Sequence, residues 1–407
     1  MRIRYLAFLA VALTAVARPA AADFIIAFID PLSGGAASAG VAAQKHLAYF
    51  SDKINAAGGL NGEKIVINSY DNKVSPQESL IQLKKALDEG ARIVFQGNGS
   101  SVAHAITDAI QKHNERNPGK EVLFFNYAAI DPALTNEKCH FWHFRFDADV
   151  DMKMTALTDD IKSNPKVKKV YLINQDYSFG KAVAAAANTM LKAKRPDIQV
   201  VGDELHPLQK VTDFSPYVAK IKASGADTVI TGNWSNDMLL LVKAGKDAGL
   251  HVNWYTYYGG GLGSVPAIGK DGVGMLKHVT EYHNNFFPQL PDDEVAYKKR
   301  FPDKGDELFY WRLRNTFQLL DAAAKKAKSN APAKLAKALE GMKMDTPLGP
   351  MEMRADNHQL LQPLVVSTLS EKTKYDIEGS GLGFITDRKI DAKDTALPTT
   401  CKMQRPS

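Results

Sequence analysis

Cysteine is nearly absent from this 407-residue chain, which has only Cys139 and Cys401. Two cysteines exclude a cysteine-built zinc site and a disulfide-dense scaffold, and leave room for one intramolecular bond. An excess of one charge is lacking too. There are 51 Lys and Arg against 45 Asp and Glu, a formal net charge of +6. The lysines (Lys84, Lys85, Lys220, Lys222, Lys325, Lys326) are scattered over expected helix faces, so no basic stripe points to nucleic acid. No G-x-x-x-x-G-K-[ST] run is available to hold a phosphate chain, and Gly259 to Gly263 lacks the G-x-G-x-x-G spacing of a dinucleotide site. In Cys139-His140-Phe141-Trp142-His143 the two histidines stand three apart on an expected strand. They would face opposite sides, which argues against a metal. No cofactor is expected.

Long apolar runs are also missing after the first residues, where nothing approaches the roughly 20 residues of a membrane helix. At the start, Arg2 and Arg4 precede the apolar run Tyr5 to Val16, and Ala20-Ala21-Ala22 supplies a small-residue cleavage site. Residues 1–22 therefore read as a secretory signal peptide, with a soluble mature chain starting near Asp23 in the periplasm. Loss of Arg2, Arg4 and Arg18 lowers the formal charge to about +3. Export makes a Cys139–Cys401 disulfide a candidate, with two buried thiols as the alternative. A mature chain of about 385 residues exceeds what one core usually serves, so two domains are expected.

What is present is alternation. Phe24 to Ile29 is apolar on both faces, as in a parallel strand covered by helices. A helical pattern from Val41 to Ala57 follows and stops at Gly58-Gly59. Lys64 to Tyr70 reads as a strand. Ser75-Pro76-Gln77-Glu78 is a capping box with proline at the first helical position, opening a helix that ends near Gly90. Ile93 to Gln96 is the third strand, Glu121 to Asn126 the fourth, and Phe141 to Phe146 the next. The acidic run Asp147, Asp149, Asp151 marks a crossing into a second domain. There the pattern repeats, with helices at Val150 to Lys162 and Asp213 to Ala223 and strands at Val167 to Ile173 and Thr228 to Thr231. Trp254 to Tyr258 is an aromatic cluster before three glycines. The longest helical pattern, Leu308 to Lys328, is placed back in the first domain. An α/β fold of doubly wound parallel sheets follows, with ligands beyond the carboxyl ends of the strands.

Gln96-Gly97-Asn98-Gly99-Ser100-Ser101 joins a buried strand to the helix beginning near Val102. Such a turn converges backbone N–H groups and hydroxyls on one point, which suits a carboxylate or phosphate. Gly99-Ser100-Ser101-Val102-Ala103 also approximates a nucleophile elbow with alanine for its last glycine, which keeps an exported serine esterase as an alternative, with His358 the available base.

Taken together, several segments resemble the branched-chain amino-acid-binding family of periplasmic solute-binding proteins, which serve ABC importers. They are Pro31-Leu32-Ser33-Gly34, Ala57-Gly58-Gly59-Leu60-Asn61-Gly62, Tyr70-Asp71-Asn72, Ser100-Ser101, Ala128-Ala129 with Pro132 and Leu134-Thr135, Tyr177 to Gly180, and Asp213-Phe214-Ser215. The resemblance implies a non-enzymatic, monomeric protein of the type I binding-protein fold, two lobes joined by three crossovers, closing on a small ligand and presenting it to an inner-membrane permease. The lobes are expected at 23–146 plus 281–362 and at 147–280 plus 363–407, the latter including the C-terminal tail. By the resemblance, Ser100 and the backbone around it and Ala128 grip a ligand carboxylate, with Asn98, Gly99 and Ala129 beside them. Phe179, Trp234 and Tyr257 close from the second lobe. Amino-acid binders hold the α-ammonium with a threonine and an acidic residue, whose positions here are Ile130 and Gly260. Ala39 replaces an aromatic residue and leaves room. The expected ligand is thus a carboxylate without an α-ammonium, hydrophobic or aromatic. An amino acid remains the alternative if Asp131, Asp176 or Asp237 supplies the negative charge.

Overall fold

The computed structural model describes residues 22–406, so the signal peptide expected at residues 1–22 lies, but for Ala22, outside the described residues. β1 (Phe24–Asp30) is followed by α1 (Ala37–Ala56), β2 (Ile65–Asp71), α2 (Pro76–Asp88), β3 (Ile93–Gln96), α3 (Ser100–Arg116), β4 (Leu123–Asn126) and β5 (His143–Arg145). These strands form one parallel sheet in the order β2-β1-β3-β4-β5. β1 and β3 are almost wholly buried, because helices cover both faces. α2 starts directly after Ser75, the N-cap of its capping box, whose Oγ accepts from the Glu78 amide at 3.2 Å. β5 is shorter than its apolar pattern, and Phe141 and Trp142 precede it. His140 also precedes it, facing Asp108 at 3.5 Å, while His143 is buried within the strand. The two rings are thus separated by the strand boundary, not by its two faces. No group of three or more His, Cys, Asp or Glu among the described residues is placed to hold a metal.

The second unit comprises α4 (Val150–Ser163), β6 (Lys169–Gln175), α5 (Ser178–Lys194), β7 (Gln199–His206), α6 (Ser215–Ala223), β8 (Thr228–Thr231), α7 (Asn236–Asp247), β9 (Asn253–Thr256), α8 (Ser264–Ile268) and β10 (Leu276–Thr280). Its parallel strands run β7-β6-β8-β9-β10, the same winding as the first sheet. After α9 (Asp292–Arg300), α10 (Trp311–Ala327) and α11 (Pro332–Leu339) come three short strands, β11 (Lys343–Thr346), β12 (Gly349–Met353) and β13 (Leu360–Leu361), in a small antiparallel sheet of their own. β14 (Leu364–Ser370) and β15 (Gly383–Ile390) then add an antiparallel edge to the second sheet. Neither the small sheet nor this edge was expected from the sequence.

One core draws on residues 24–146 and 282–360, and the others mainly on residues 148–279 and 361–392. We therefore propose crossings at Phe146–Asp147, Thr280–Glu281 and Gln362–Pro363. They lie side by side and are bonded to one another. Gln362 Nε2 donates to Phe146 O at 2.8 Å, and Gln359 Nε2 to Asp147 O at 2.8 Å. Among them sits a buried charge quartet. Lys153 reaches Asp147 at 2.9 Å, Arg312 reaches Glu281 at 2.8 Å, and Arg312 Nη2 lies 3.3 Å from Asp147. Burial pushes the Asp147 carboxyl up despite Arg312 and Lys153. Burial acts the same way on Glu281, but Arg312 and Lys153 outweigh it and hold that carboxyl below its ordinary value. The acidic run of the crossing has separate duties, since Asp149 caps α4 by accepting from Met152 N at 2.8 Å.

We propose that the chain also crosses a fourth time. Beyond β15, Ala392 and Leu397 pack on a core of the second unit. Thr399 Oγ1 then donates to Thr135 O at 3.0 Å, Cys401 is bonded to Cys139, and Met403 packs on the first core.

Two outcomes follow. Arg312→Met strands Asp147 and Glu281 in the interior, and chemical denaturation should show a loss of about 3–5 kcal/mol. Replacing both cysteines by serine should cost about 2–5 kcal/mol by the same measurement, with the tail the first segment to lose amide-exchange protection.

Candidate functional site

β3 delivers the turn Gly97 to Ser100 to the point where the first sheet reverses its winding, between β1 and β3. The turn is glycine-dependent at both ends. A Cβ at Gly97 would lie 2.7 Å from the Tyr127 ring, and Gly99 has φ +103°. Gly99 is also the N-cap of α3, with no side-chain cap and no acidic residue in the first helical turn. The first amides of α3 thus have no capping side chain and carry the positive end of the helix dipole. Ser100 Oγ accepts from Asp131 N at 3.3 Å, which leaves its hydroxyl proton free to donate.

Asn98 supports this turn from behind. Its backbone and side-chain nitrogens each donate to Asp30 at 3.0 Å, and its Nδ2 is also 2.7 Å from Tyr127 Oη. Tyr127 donates to the same Asp30 carboxylate. Burial raises Asp30 to about 7 even though these hydrogen bonds pull it down.

The turn forms one wall of a cavity of about 370 Å³ of atom-free space, counting its open mouth. From the first lobe come Asn98, Gly99, Ser100, Ala128, Ile130, Phe309 and Tyr310. From the second come Tyr177 and Phe179 after β6, Trp234 after β8, and Tyr258 and Leu262 after β9. These loops flank the second sheet's own reversal, between β6 and β8. Trp234 Nε1 donates to Tyr177 Oη at 2.9 Å, and Gly232 makes room for Phe179, whose ring would meet a Cβ there at 2.8 Å. The lobes touch at Ser38 and Ser235, whose Oγ atoms are 2.7 Å apart.

Three expected residues do not line this cavity, although Tyr257 and Gly260 line a second one that adjoins it. Tyr257 is turned into the second lobe, where its hydroxyl donates to Val150 O at 3.0 Å, and its neighbour Tyr258 takes the place in the cavity. The direction is set because the chain leaves β9 at Thr256. Ala129 is drawn back by Asn126, whose Oδ1 accepts from its amide at 2.7 Å. Gly260 lies against His278, and a Cβ there would come within 2.0 Å of Nδ1. Ala39 packs on the second lobe's core and does not line the cavity. Phe309 and Tyr310 fall within the helix expected at Leu308 to Lys328, but α10 begins only at Trp311, and the two rings precede it and line the cavity.

Among the described residues no charged side chain lines this cavity. Asp131 is paired with His104 at 2.9 Å, Asp176 with Lys181 at 3.0 Å, and Asp237 accepts from Gln175 at 2.7 Å and the Gln209 amide at 2.8 Å. His358 is buried between Glu340 at 2.9 Å and His143 O at 3.2 Å, so it does not meet Ser100 or Ser101 as a base. What the geometry offers is a hydroxyl and helix amides on one side and aromatic faces on the other.

The periplasmic binding protein family model matches residues 25–374 of the chain. The chain belongs to this family. It is a periplasmic solute-binding protein of the branched-chain amino-acid type, the class that works with ABC-transporter permeases. A Leu/Ile/Val-binding protein homolog of Brucella melitensis is 36% identical over 407 residues, 98% of this chain and 96% of that one. The Leu/Ile/Val-binding protein of Escherichia coli is 26% identical, over 81% of this chain and 86% of its own length. Among solved structures, a leucine-, isoleucine-, valine-, threonine- and alanine-binding protein of Brucella ovis in closed conformation superposes with a TM-score of 0.81, at 35% identity, covering 94% of this chain and all of that one. A Rhodopseudomonas palustris solute-binding protein in complex with 3,4-dihydroxybenzoic acid has a TM-score of 0.78 at 20% identity, over 91% and 98% of the two chains, and shares the fold. These relatives are binding proteins and not enzymes, and the compartment of the family implies a periplasmic location for this member.

The raised Asp30 has a consequence for pH. A carboxyl whose folded value stands near 7, above its ordinary 3.8, contributes stability below the lower value and loses it as pH rises through the higher. The unfolding free energy of the wild type relative to Asp30→Asn should therefore fall by a few kcal/mol between about pH 4 and pH 7. Denaturation across that range checks it.

Proposed function

We propose that this binding protein delivers a small hydrophobic or aromatic carboxylic acid without an α-ammonium to its permease. The supporting observation is the lining of the cavity: a hydroxyl donor and uncapped helix amides for an anion, aromatic rings for the remainder, and no carboxylate for a cation. An ammonium closed into such a site would lose its water without gaining a countercharge, whereas a carboxylate gains charge-assisted hydrogen bonds. Ser100 and the first amides of α3 hold the acid. Ile130 stands where a hydroxyl would otherwise meet an ammonium, and Phe179, Trp234 and Tyr258 cover the hydrophobic body. The presence of aromatic acids in structures of this fold, one with benzoate and one with 4-hydroxybenzoate, shows that the fold accepts such ligands.

The second reading is an amino-acid binder, favoured by the names of the Brucella relatives at 35–36% identity. Calorimetric titration with leucine, valine, benzoate and phenyl-substituted acids separates the two. The expected outcome is micromolar binding of at least one acid and none of leucine, with Ser100→Ala weakening the acid by about tenfold or more. Micromolar leucine binding overturns the proposal.

A further inference from the structure

A second cavity adjoins the first, with about 550 Å³ of atom-free space counting its mouth, and Tyr258 and Phe309 line both. It lies against the hinge, walled by Lys153, Arg312 and the segment of the second crossing from His278 to Asn284. Its polar side chains are in a different state from those of the first cavity. The Tyr282 hydroxyl, His278 Nε2 and Arg312 Nη2 are buried without a hydrogen-bond partner among the described residues. The side chains belong to residues only 6%, 5% and 2% exposed. Arg312 Nη2 stands 3.3 Å from Asp147 Oδ2, near enough to feel its charge but without hydrogen-bond geometry. Glu307 also lines this cavity, but its carboxylate is bonded by Lys298 at 3.0 Å and Asn284 at 3.0 Å.

Stacking, in place of hydrogen bonding, fixes two of the three groups. Tyr282 stacks on Trp311 at 4.1 Å between ring centroids and His278 on Phe384 at 3.8 Å. The absence of a side chain at Gly260 is what lets the imidazole lie where it does. Buried polar groups are nearly always paired, because an unmade hydrogen bond is costly in the interior. Three of them at one cavity, two belonging to rings already held by stacking, mark a place suited to an oxygen-bearing group from outside the chain.

We propose that this cavity is the distal subsite of the ligand cleft, and that the transported acid carries a hydroxyl or carboxylate oxygen at its far end. That oxygen reaches past Tyr258 and Phe309 to Tyr282, His278 and Arg312. The inference rests on the reading of the ligand as a carboxylic acid held at Ser100, and assigns what that acid has at its other end.

Calorimetry on the mature protein with phenylacetate, phenylpropanoate and phenylbutanoate, each against its para-hydroxy counterpart, tests it. At least one hydroxylated acid should bind about fivefold or more tighter than its parent. Tyr282→Phe keeps the stack on Trp311, and should erase that gain while leaving the parent acid within about twofold and the thermal midpoint unchanged. Equal affinities within every pair, or a gain that survives Tyr282→Phe, His278→Phe and their combination, overturn the subsite and leave the carboxylic-acid reading standing. Failure of every acid to bind, with or without binding of leucine, overturns the reading and the subsite together.

Discussion

Arg312 is buried beneath the hinge and bonded on each side of its guanidinium: to Glu281 at 2.8 Å, to the Tyr127 carbonyl at 2.6 Å, and against Asp147 at 3.3 Å. Its own amide donates to Glu281 at 3.0 Å, so the carboxylate that neutralises the side chain also caps α10. A cation in the interior is tolerated only if its countercharges are fixed in place. Here those countercharges sit on the first and second crossings between the lobes. The hinge is therefore held by a group whose loss would expose two carboxylates to a medium that cannot solvate them.

The same residue connects the hinge to the cleft. The Tyr127 whose carbonyl it grips donates to Asp30, and Asp30 holds both nitrogens of Asn98 behind the Gly97-to-Ser100 turn. Arg312 also lies 4.8 Å over the ring of Tyr310, and Lys153 lies 4.8 Å over the ring of Tyr258. Both rings line the cavity. The positive charges of the hinge thus stand behind two of its tyrosines, while Asp147 and Glu281 neutralise them on the far side.

The two lobes contribute different chemistry. The first supplies directional donors on the turn after β3 together with the rings of Phe309 and Tyr310, and the second supplies aromatic faces on the loops after β6, β8 and β9. A ligand that engages both stabilises the closed arrangement by its differential contacts, and that population shift is what a permease can read. The Brucella relatives share enough sequence to fix the family, yet the cavity beside Ser100 presents no carboxylate. Ligand class is set by a few lining side chains, which overall identity averages away.

By itself, the sequence determined what depends on local pattern. The buried β1 and β3 runs, the Ser75 capping box and the Gly97-to-Ser100 turn are written in consecutive residues, so the winding, the family and the presence of a strand-to-helix turn without a capping side chain were legible. Most of the loops were placed as well, since each polar or glycine-rich stretch followed a strand. Side-chain direction at the ends of elements was another matter. Whether Tyr257 or Tyr258 enters the cleft depends on where β9 stops, and Phe309 and Tyr310 are free to line it because α10 is capped across the hinge by Glu281 and not by a residue of its own. The antiparallel pairing of β14 with β10, about 90 positions earlier, the bond from Cys139 to Cys401, 262 positions apart, and the charge quartet across the first two crossings all join residues distant in the chain. Only the tertiary structure decides such partners, because burial sets their energies and burial is a property of the assembled fold.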